Sequence, residues 1–400
     1  MSTPILAVSR RTRRTPFTER LAAHGVKGYT VYNHMLLPTA FRSLEEDYWH
    51  LRRHVQVWDV FCERQVELKG PDAFRLTQMM TPRDLSRIEI GQCVYAPIID
   101  EAAGMINDPV VIRLGEDRFW LSIADSDVVL WAGGLAHGLD LDVEVFEPDA
   151  GPLAVQGPRA DDLMALVFGD EVRRIRFFRS AMLSFMGHPL LVARSGWSKQ
   201  GGFEIYVDDW EVGRALYDRL FAVGEVLDVG PGCPNLIERI EGGLLSYGND
   251  MTRANNPLEC GLERYCSPDS RHEHIGRAAL DRIRANGPAR MVRGVRLEGA
   301  ALAGPIEPWP VRKRRGRAQV GAVSSATWSP RFSGIVGFAM MEASASMIGT
   351  SIEVETPEGM RSGVVVALPF EEAPGDAKPA APRSAAKTAK AGRPAARKKS

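Results

Sequence analysis

The segment Ala193-Arg-Ser-Gly-Trp-Ser-Lys-Gln-Gly-Gly-Phe-Glu-Ile-Tyr-Val207 concentrates residue types that could hold a small molecule. Its second half alternates faces as a strand does, so Phe203, Ile205 and Val207 share one side and Glu204 and Tyr206 the other. A carboxylate beside an aromatic ring, behind a Gly-Gly turn and near Trp197, can hold a flat heteroaromatic ring by stacking and by accepting its N–H groups. The same residues also fit an ordinary hairpin whose Glu-Tyr pair faces solvent. The common nucleotide and hydrolase motifs are absent: no GxGxxG follows a strand, and there is no GxxxxGK[ST], HExxH or GxSxG.

The elements that must position this segment come from a chain of 400 residues, long enough for two or three domains. Hydrophobic residues make up 44% and charged residues 25%, which excludes a disordered, collagen-like or disulfide-framework protein. No apolar run is long enough to cross a bilayer. The balance of 50 basic and 50 acidic residues conceals an uneven distribution: residues 1–15 carry +4, residues 371–400 carry +5, and the 355 between carry −9. The last thirty residues, with ten Ala, four Pro and no aromatic, are expected to form a disordered, solvated tail with no nucleic-acid role. Five cysteines (Cys62, Cys93, Cys233, Cys260, Cys266) form no zinc pattern, and no signal peptide is evident, so a cytoplasmic protein with reduced thiols is expected.

Helical spacing marks 41–54, 160–167 and 211–223. Stretches 93–99, 105–112 and 118–124 form an antiparallel meander, with further strands near 181–185, 190–193 and 203–207. Mixed strands and helices without strict alternation favour an α+β class. Beyond Pro288 short strands punctuated by Gly and Pro predict a small β-barrel ending at Phe370. The domain expectation is a basic flexible arm at 1–15, an α+β binding region at 16–288, the barrel at 289–370 and the tail at 371–400.

Several of these residues, in order, resemble a family. Arg194-Ser-Gly-Trp-Ser-Lys-Gln-Gly-Gly-Phe-Glu-Ile205 resembles the RTGYTGEDGFEI signature of the glycine-cleavage T-protein (aminomethyltransferase) family. Leu153-Ala-Val-Gln-Gly-Pro158 is similar to its ALQGP, Arg239-Ile-Glu-Gly-Gly-Leu-Leu-Ser-Tyr-Gly-Asn-Asp250 to RLEAGLxLYGxD, Ile275-Gly-Arg-Ala-Ala-Leu280 to FIGREAL and Val323-Ser-Ser-Ala-Thr-Trp-Ser-Pro330 to VTSGTFSP. The departures narrow the resemblance. An Asp-Asp pair of the family is Asn107-Asp108 here, the signature Tyr is Trp197, and a folate-contacting Asn is replaced at Ala124-Asp125. With Gly28-Tyr-Thr-Val-Tyr-Asn-His-Met35 and Val57-Trp-Asp-Val60, these changes resemble the dimethylsulfoniopropionate (DMSP) demethylase branch.

The resemblance implies two intertwined α+β folate-binding lobes around a central channel, followed by the barrel. It implies transfer of a sulfonium methyl to N5 of tetrahydrofolate, giving methylmercaptopropionate and 5-methyltetrahydrofolate. Catalytic roles are carried onto Asp108, Tyr206 and Trp197, the aromatics as folate contacts or as cation–π partners of the sulfonium. Cofactor contacts are carried onto Glu204 (pterin ring), Tyr95, Asn107, Ser122 and Arg239, the last as a carboxylate binder with Lys199 as the weaker option. Arg239 could equally be a buried ion pair with Glu238 or Glu241. Trp58 and Trp120 are expected in the core, and Gln156-Gly157-Pro158 as a positioning turn. DMSP and tetrahydrofolate are the expected small-molecule partners; no metal, flavin, nicotinamide, nucleic acid or membrane is expected, and a homodimer is left open. Other N-, O- or S-methyl donors and glycine cleavage itself are the alternatives, the latter disfavoured by Asn107 and Trp197. A non-catalytic folate-binding relative would carry KGCYxGQ where this chain has Glu263-Arg-Tyr-Cys-Ser-Pro268.

Overall fold

The computed structural model describes residues 9–269, 272–313 and 318–370. The expected tail at 371–400 and the first eight residues lie outside the described residues. The fold is α+β, built on two larger sheets and a closed barrel.

The six-stranded sheet runs in the order Ser180–Phe185, His188–Ala193, Gly202–Val207, Gly151–Gln156, Val55–Asp59, Val229–Gly232. All its neighbours are antiparallel except the last pair. Ala160–Phe168 and Trp210–Gly224 cover one face, burying Leu163, Leu216 and Leu220 against Val57, Leu153, Val155, Phe203, Ile205 and Val207. Each such fully buried aliphatic or aromatic side chain is worth about 1.5–3 kcal/mol of transfer free energy.

The five-stranded sheet, ordered Glu144–Phe146, Gln65–Lys69, Arg118–Ser122, Val110–Arg113, Cys93–Tyr95, is antiparallel throughout. It packs Val66, Leu68, Phe119 and Leu121 under the helix Ala73–Met80. The meander expected here is present but broken. Pro97 and Pro109 lack ladder donors, so 93–99 and 105–112 each split. Ile98–Ile99 and Met105–Asn107 leave the sheet to pair with one another.

The helix Leu44–Arg53 starts where the sequence places its signal. Ser43 Oγ accepts from Glu46 N at 3.2 Å, and Glu46 Oε2 accepts from Ser43 N at 2.9 Å, a reciprocal capping box. In the barrel, Arg290–Leu297, Gly334–Glu342, Gln319–Ser329, Trp309–Lys313, Ser351–Thr356 and Gly359–Val366 close on themselves around Val295, Val311, Val323, Ile335, Val354 and Val365. Trp309–Lys313 went unread in the sequence because Pro308 and Pro310 make it look like a loop. Near the start of the chain, Arg13 is fastened, with its N–H on His34 O at 2.7 Å and its guanidinium on Glu147 at 2.9 Å. This part of the expected flexible arm is held. All five cysteines are buried and unpaired, and among the described residues no helix is long and apolar enough to cross a membrane.

Candidate active site

Register, rather than sequence proximity, assembles the site. In the six-stranded sheet Ala193, Glu204, Ala154 and Trp58 stand opposite one another across four strands, and so share a face. Phe203, Ile205 and Val207 point into the core on the other face, as their alternation requires. Glu204 and Tyr206 are only 6% and 2% exposed, which rules out the solvent-facing hairpin. The small methyl groups of Ala193 and Ala154 flank the Glu204 carboxyl, which accepts a short hydrogen bond from Ser195 Oγ. In the other sheet Tyr95, Val110, Ser122 and Gln65 form the corresponding row, so Tyr95 and Ser122 are separated by one strand instead of being direct neighbours. Asp108 sits at the Pro109 break, where its Oδ2 accepts from Tyr95 Oη at 2.8 Å.

A third carboxyl joins these two, and sequence reasoning missed it. Glu63 lies in the crossing between Val55–Asp59 of one sheet and Gln65–Lys69 of the other. Its backbone is pinned by Gln65 Nε2 on Glu63 O at 2.7 Å, and its neighbour Cys62 O accepts from Asn33 Nδ2 at 3.0 Å. Burial, then the charges of Glu204 and Asp108, raise Glu63 well above the ordinary carboxyl range. Burial likewise raises Glu204, against the Ser195 hydrogen bond, and pushes Asp108 up to about 7, against the Tyr95 hydrogen bond. Tyr32 is raised by burial and then by Glu63 and Asp108, which places it at the same spot.

Glu63, Asp108, Tyr95 and Tyr32 all keep partial water access although their charged forms are strongly desolvated. We take these side chains, buried yet reached by water, to line a recess. Three carboxyls in one such recess cannot all ionise together. Among the described residues two buried polar atoms there make no hydrogen bond of good geometry: Asp108 Oδ1, and the Tyr206 hydroxyl, which Glu204 and Ser122 nevertheless approach. An unmade bond of this kind costs about 1–3 kcal/mol, which a ligand with N–H donors or positive charge would recover. Among the described residues no group of three or more His, Cys, Asp or Glu side chains is disposed to hold a metal ion.

Three expected site residues are occupied differently. Asn107 is fully buried. Its Nδ2 donates to Ala124 O at 3.1 Å and Ser126 Oγ at 2.8 Å, and its Oδ1 accepts from Ala124 N at 3.1 Å. With both amide hydrogens engaged, it fixes the end of the Arg118–Ser122 strand and has none to offer a cofactor. Arg239 is buried in a pair with Asp250 at 2.7 Å, and its second nitrogen donates to Ser325 Oγ at 2.7 Å. The ion-pair alternative is therefore the observed one, but with Asp250, since Glu238 pairs with Arg52 and Glu241 bonds Tyr48 and Ser329. Half-buried Trp197 has the Arg239 guanidinium 5.9 Å from its ring centre, so one of its faces is already taken by a cation.

Trp58 and Trp120 are in the core as expected, Trp120 packing 5.5 Å from Tyr206 and donating to Glu67 at 2.7 Å. Gln156 clamps the signature loop. Its Nε2 donates to Ser195 O at 3.1 Å, and its Oε1 accepts from Ser198 Oγ at 2.7 Å. A Cβ on Gly196 (φ 137°) would lie 2.0 Å from the Gln156 amide, so only glycine lets the loop come this close.

Residues 17–270 match the GCVT N-terminal domain, and residues 290–371 the glycine cleavage T-protein C-terminal barrel domain. A dimethylsulfoniopropionate demethylase of Ruegeria pomeroyi is 56% identical over 357 residues, covering 88% of this chain and 96% of that protein. An aminomethyltransferase of Bacillus mycoides is 27% identical over 365 residues, covering 90% and 98%. Among solved structures, the glycine cleavage system aminomethyltransferase T from Bartonella henselae superposes with a TM-score of 0.81 over 90% of this chain and 98% of its own, at 23% identity, a likeness of fold.

Proposed function

The chain belongs to the glycine-cleavage T-protein family, and from that premise we propose that it is a tetrahydrofolate-dependent DMSP demethylase. It would move one methyl group from the sulfonium sulfur to N5 of tetrahydrofolate, releasing methylmercaptopropionate and 5-methyltetrahydrofolate. The observation that carries this reading is the buried cluster of Glu63, Glu204 and Asp108, with Asp108 Oδ1 unpartnered among the described residues.

The residues present fit a reduced pterin. Its ring offers N–H donors, and Glu204, braced by Ser195, and Asp108 Oδ1, without a hydrogen-bond partner among the described residues, are buried acceptors for them. Tyr95 and Ser122 form the facing wall. When bound, tetrahydrofolate supplies the nucleophilic lone pair. The chain supplies placement of the two reactants, the largest contribution a site without covalent chemistry can make. A sulfonium expels a neutral thioether, so no group need protonate the leaving atom. What must be removed is one proton from nitrogen as the new N–C bond forms. Asp108, with a free Oδ1 and a pKa near neutrality, is placed to take it. The negative charge shared among Glu63, Glu204 and Asp108 favours a cationic donor over a neutral one. Of the two aromatics expected to meet that cation, Tyr206 is the one left, since Trp197 already meets Arg239.

The same reading divides the chain into a folate-binding region at 16–288 and a barrel domain at 289–370. It puts the reaction in the cytoplasm, where both reduced folate and five unpaired thiols persist. Light scattering on the purified protein tests whether a homodimer forms. Anaerobic incubation with tetrahydrofolate and DMSP, followed by chromatography for both products, tests the activity. Turnover with glycine betaine or a methoxyarene, and none with DMSP, would retain the folate site and overturn the donor.

A further inference from the structure

The strands Gly28–Tyr32 and Met35–Ala40 form a hairpin whose tip meets the junction of the two sheets. Tyr32 faces Met35 across it, so Asn33 and His34 alone make the turn, both at positive φ (47° and 62°). Such a turn favours asparagine at its first position. Asn33 is 2% exposed, and its side-chain amide is engaged on two other segments. Nδ2 donates to Cys62 O at 3.0 Å and to Ala124 O at 3.4 Å, while Oδ1 accepts from Ser126 N at 3.2 Å. Its backbone N–H donates to Asp125 Oδ1 at 2.8 Å. The start of the chain holds the hairpin as well: Arg13 N donates to His34 O at 2.7 Å, and Leu36 N to Arg13 O at 3.3 Å.

Each segment held by this amide leads to an acid of the recess. Cys62 O also accepts from Arg64 N at 2.9 Å, closing a three-residue turn with Glu63 at its apex. Fixing that oxygen fixes the direction in which the turn presents Glu63. On the other side, Ala124 O also accepts from Asn107 Nδ2 at 3.1 Å, and Asn107 is the residue before Asp108. Two asparagines thus grip the stretch 124–126, Asn33 from the hairpin and Asn107 from the strand Met105–Asn107. The strands that follow the two acids, Gln65–Lys69 and Val110–Arg113, are separated in their sheet by Arg118–Ser122, so the ladder does not pair them directly. The shared Ala124 carbonyl links the segments that carry them.

We propose that Asn33 is a positioning residue: its amide ties the turn that presents Glu63 to the stretch that orients Asn107, and so holds Asp108 where it can take the proton released at nitrogen. This rests on the reading of Asp108 as the base. N33G keeps the turn, since glycine adopts positive φ freely, and removes only the side-chain bonds. Steady-state kinetics with tetrahydrofolate and DMSP should show kcat about tenfold lower, with both KM values within about twofold of the parent. In a D108N background the same change should lower kcat less than about twofold, because no base remains to be placed. Its effect on the melting temperature, which reports the lost hydrogen bonds alone, should be equal in the two backgrounds. If N33G does not fold, N33S takes its place, since one hydroxyl hydrogen can serve Cys62 O or Ala124 O but not both. Parent kcat in the Asn33 variant overturns the inference. So does a loss of equal size in both backgrounds, which would make Asn33 structural only. D108N with the parent kcat rejects the reading of Asp108 itself, and the inference with it.

Discussion

Arg239 with Asp250 and the trio Glu63, Glu204 and Asp108 are both buried clusters of charge, and they are built on opposite terms. Around Asp250 every group is matched. One oxygen accepts from Arg239 and Ser246 N, the other from Ser324 and Ser325, and Ser325 also accepts from Arg239. This cluster ties the helix Leu236–Glu241 to the barrel strand Gln319–Ser329, and nothing in it is left for a ligand. In the recess the charges have one sign, Asp108 Oδ1 has no hydrogen-bond partner among the described residues, and three carboxyls are held above their ordinary range. Paired buried charge serves the fold, whereas unpaired buried charge is a cost that the fold carries for binding.

The comparison breaks most visibly at Asp250. D250A strands a buried guanidinium and is expected to cost about 3–5 kcal/mol, read as a lower denaturant midpoint. A wild-type midpoint would show that the pair is not structural. In the recess, D108N should leave folding intact and lower kcat about a hundredfold, the scale of a lost general base. The rise of activity through about pH 7 in the parent enzyme should vanish with it. Retention of that limb in D108N would move the base elsewhere. E204Q is expected to weaken tetrahydrofolate binding about tenfold by titration, with the fold retained; unchanged affinity removes the pterin assignment.

The smallest effect carries the opposite sign. The three carboxyls are raised in the folded state, so between the ordinary carboxyl value and the raised one the folded protein binds more protons than the unfolded chain. Its stability therefore falls as pH rises through that window. Replacing one carboxyl by an isosteric amide removes part of that loss. E63Q should melt about 2–4 °C higher than the parent at pH 8 and at the same temperature near pH 4, where both states are protonated. Destabilisation at pH 8 would mean that Glu63 has a partner cation in the folded protein.

The legible parts of the site are those governed by local periodicity. Alternation alone placed Glu204 and Tyr206 on one face, and the Gly-rich loop before them is held as its glycines suggest. The strands broken by Pro97 and Pro109 were read as continuous because apolar pattern outweighed proline in a short window. Glu63 could not be read, since an acid beside Arg64 looks like a surface pair. Only the crossing between two sheets turns it towards Glu204 and Asp108. The partner of Arg239 was hidden for a similar reason. Glu238 and Glu241 are adjacent on the helix, but the turn after Gly243 brings Asp250 back to the guanidinium.

That crossing at 60–64 also bears on how the chain acquires its structure. The strand Val55–Asp59 is completed by Gly151–Gln156 and Val229–Gly232, whereas the whole five-stranded sheet, from Gln65 to Phe146, lies between these partners in the sequence. The inserted stretch can close upon itself through nearby contacts, and once closed it brings residues 59 and 151 together and shortens the loop that the larger sheet must bridge. Folding is therefore expected to be hierarchical, with the inserted sheet preceding its host. The acids of the recess, contributed from both sides of that junction, meet only in the final stage, when the hydrophobic core formed earlier can offset their mutual repulsion.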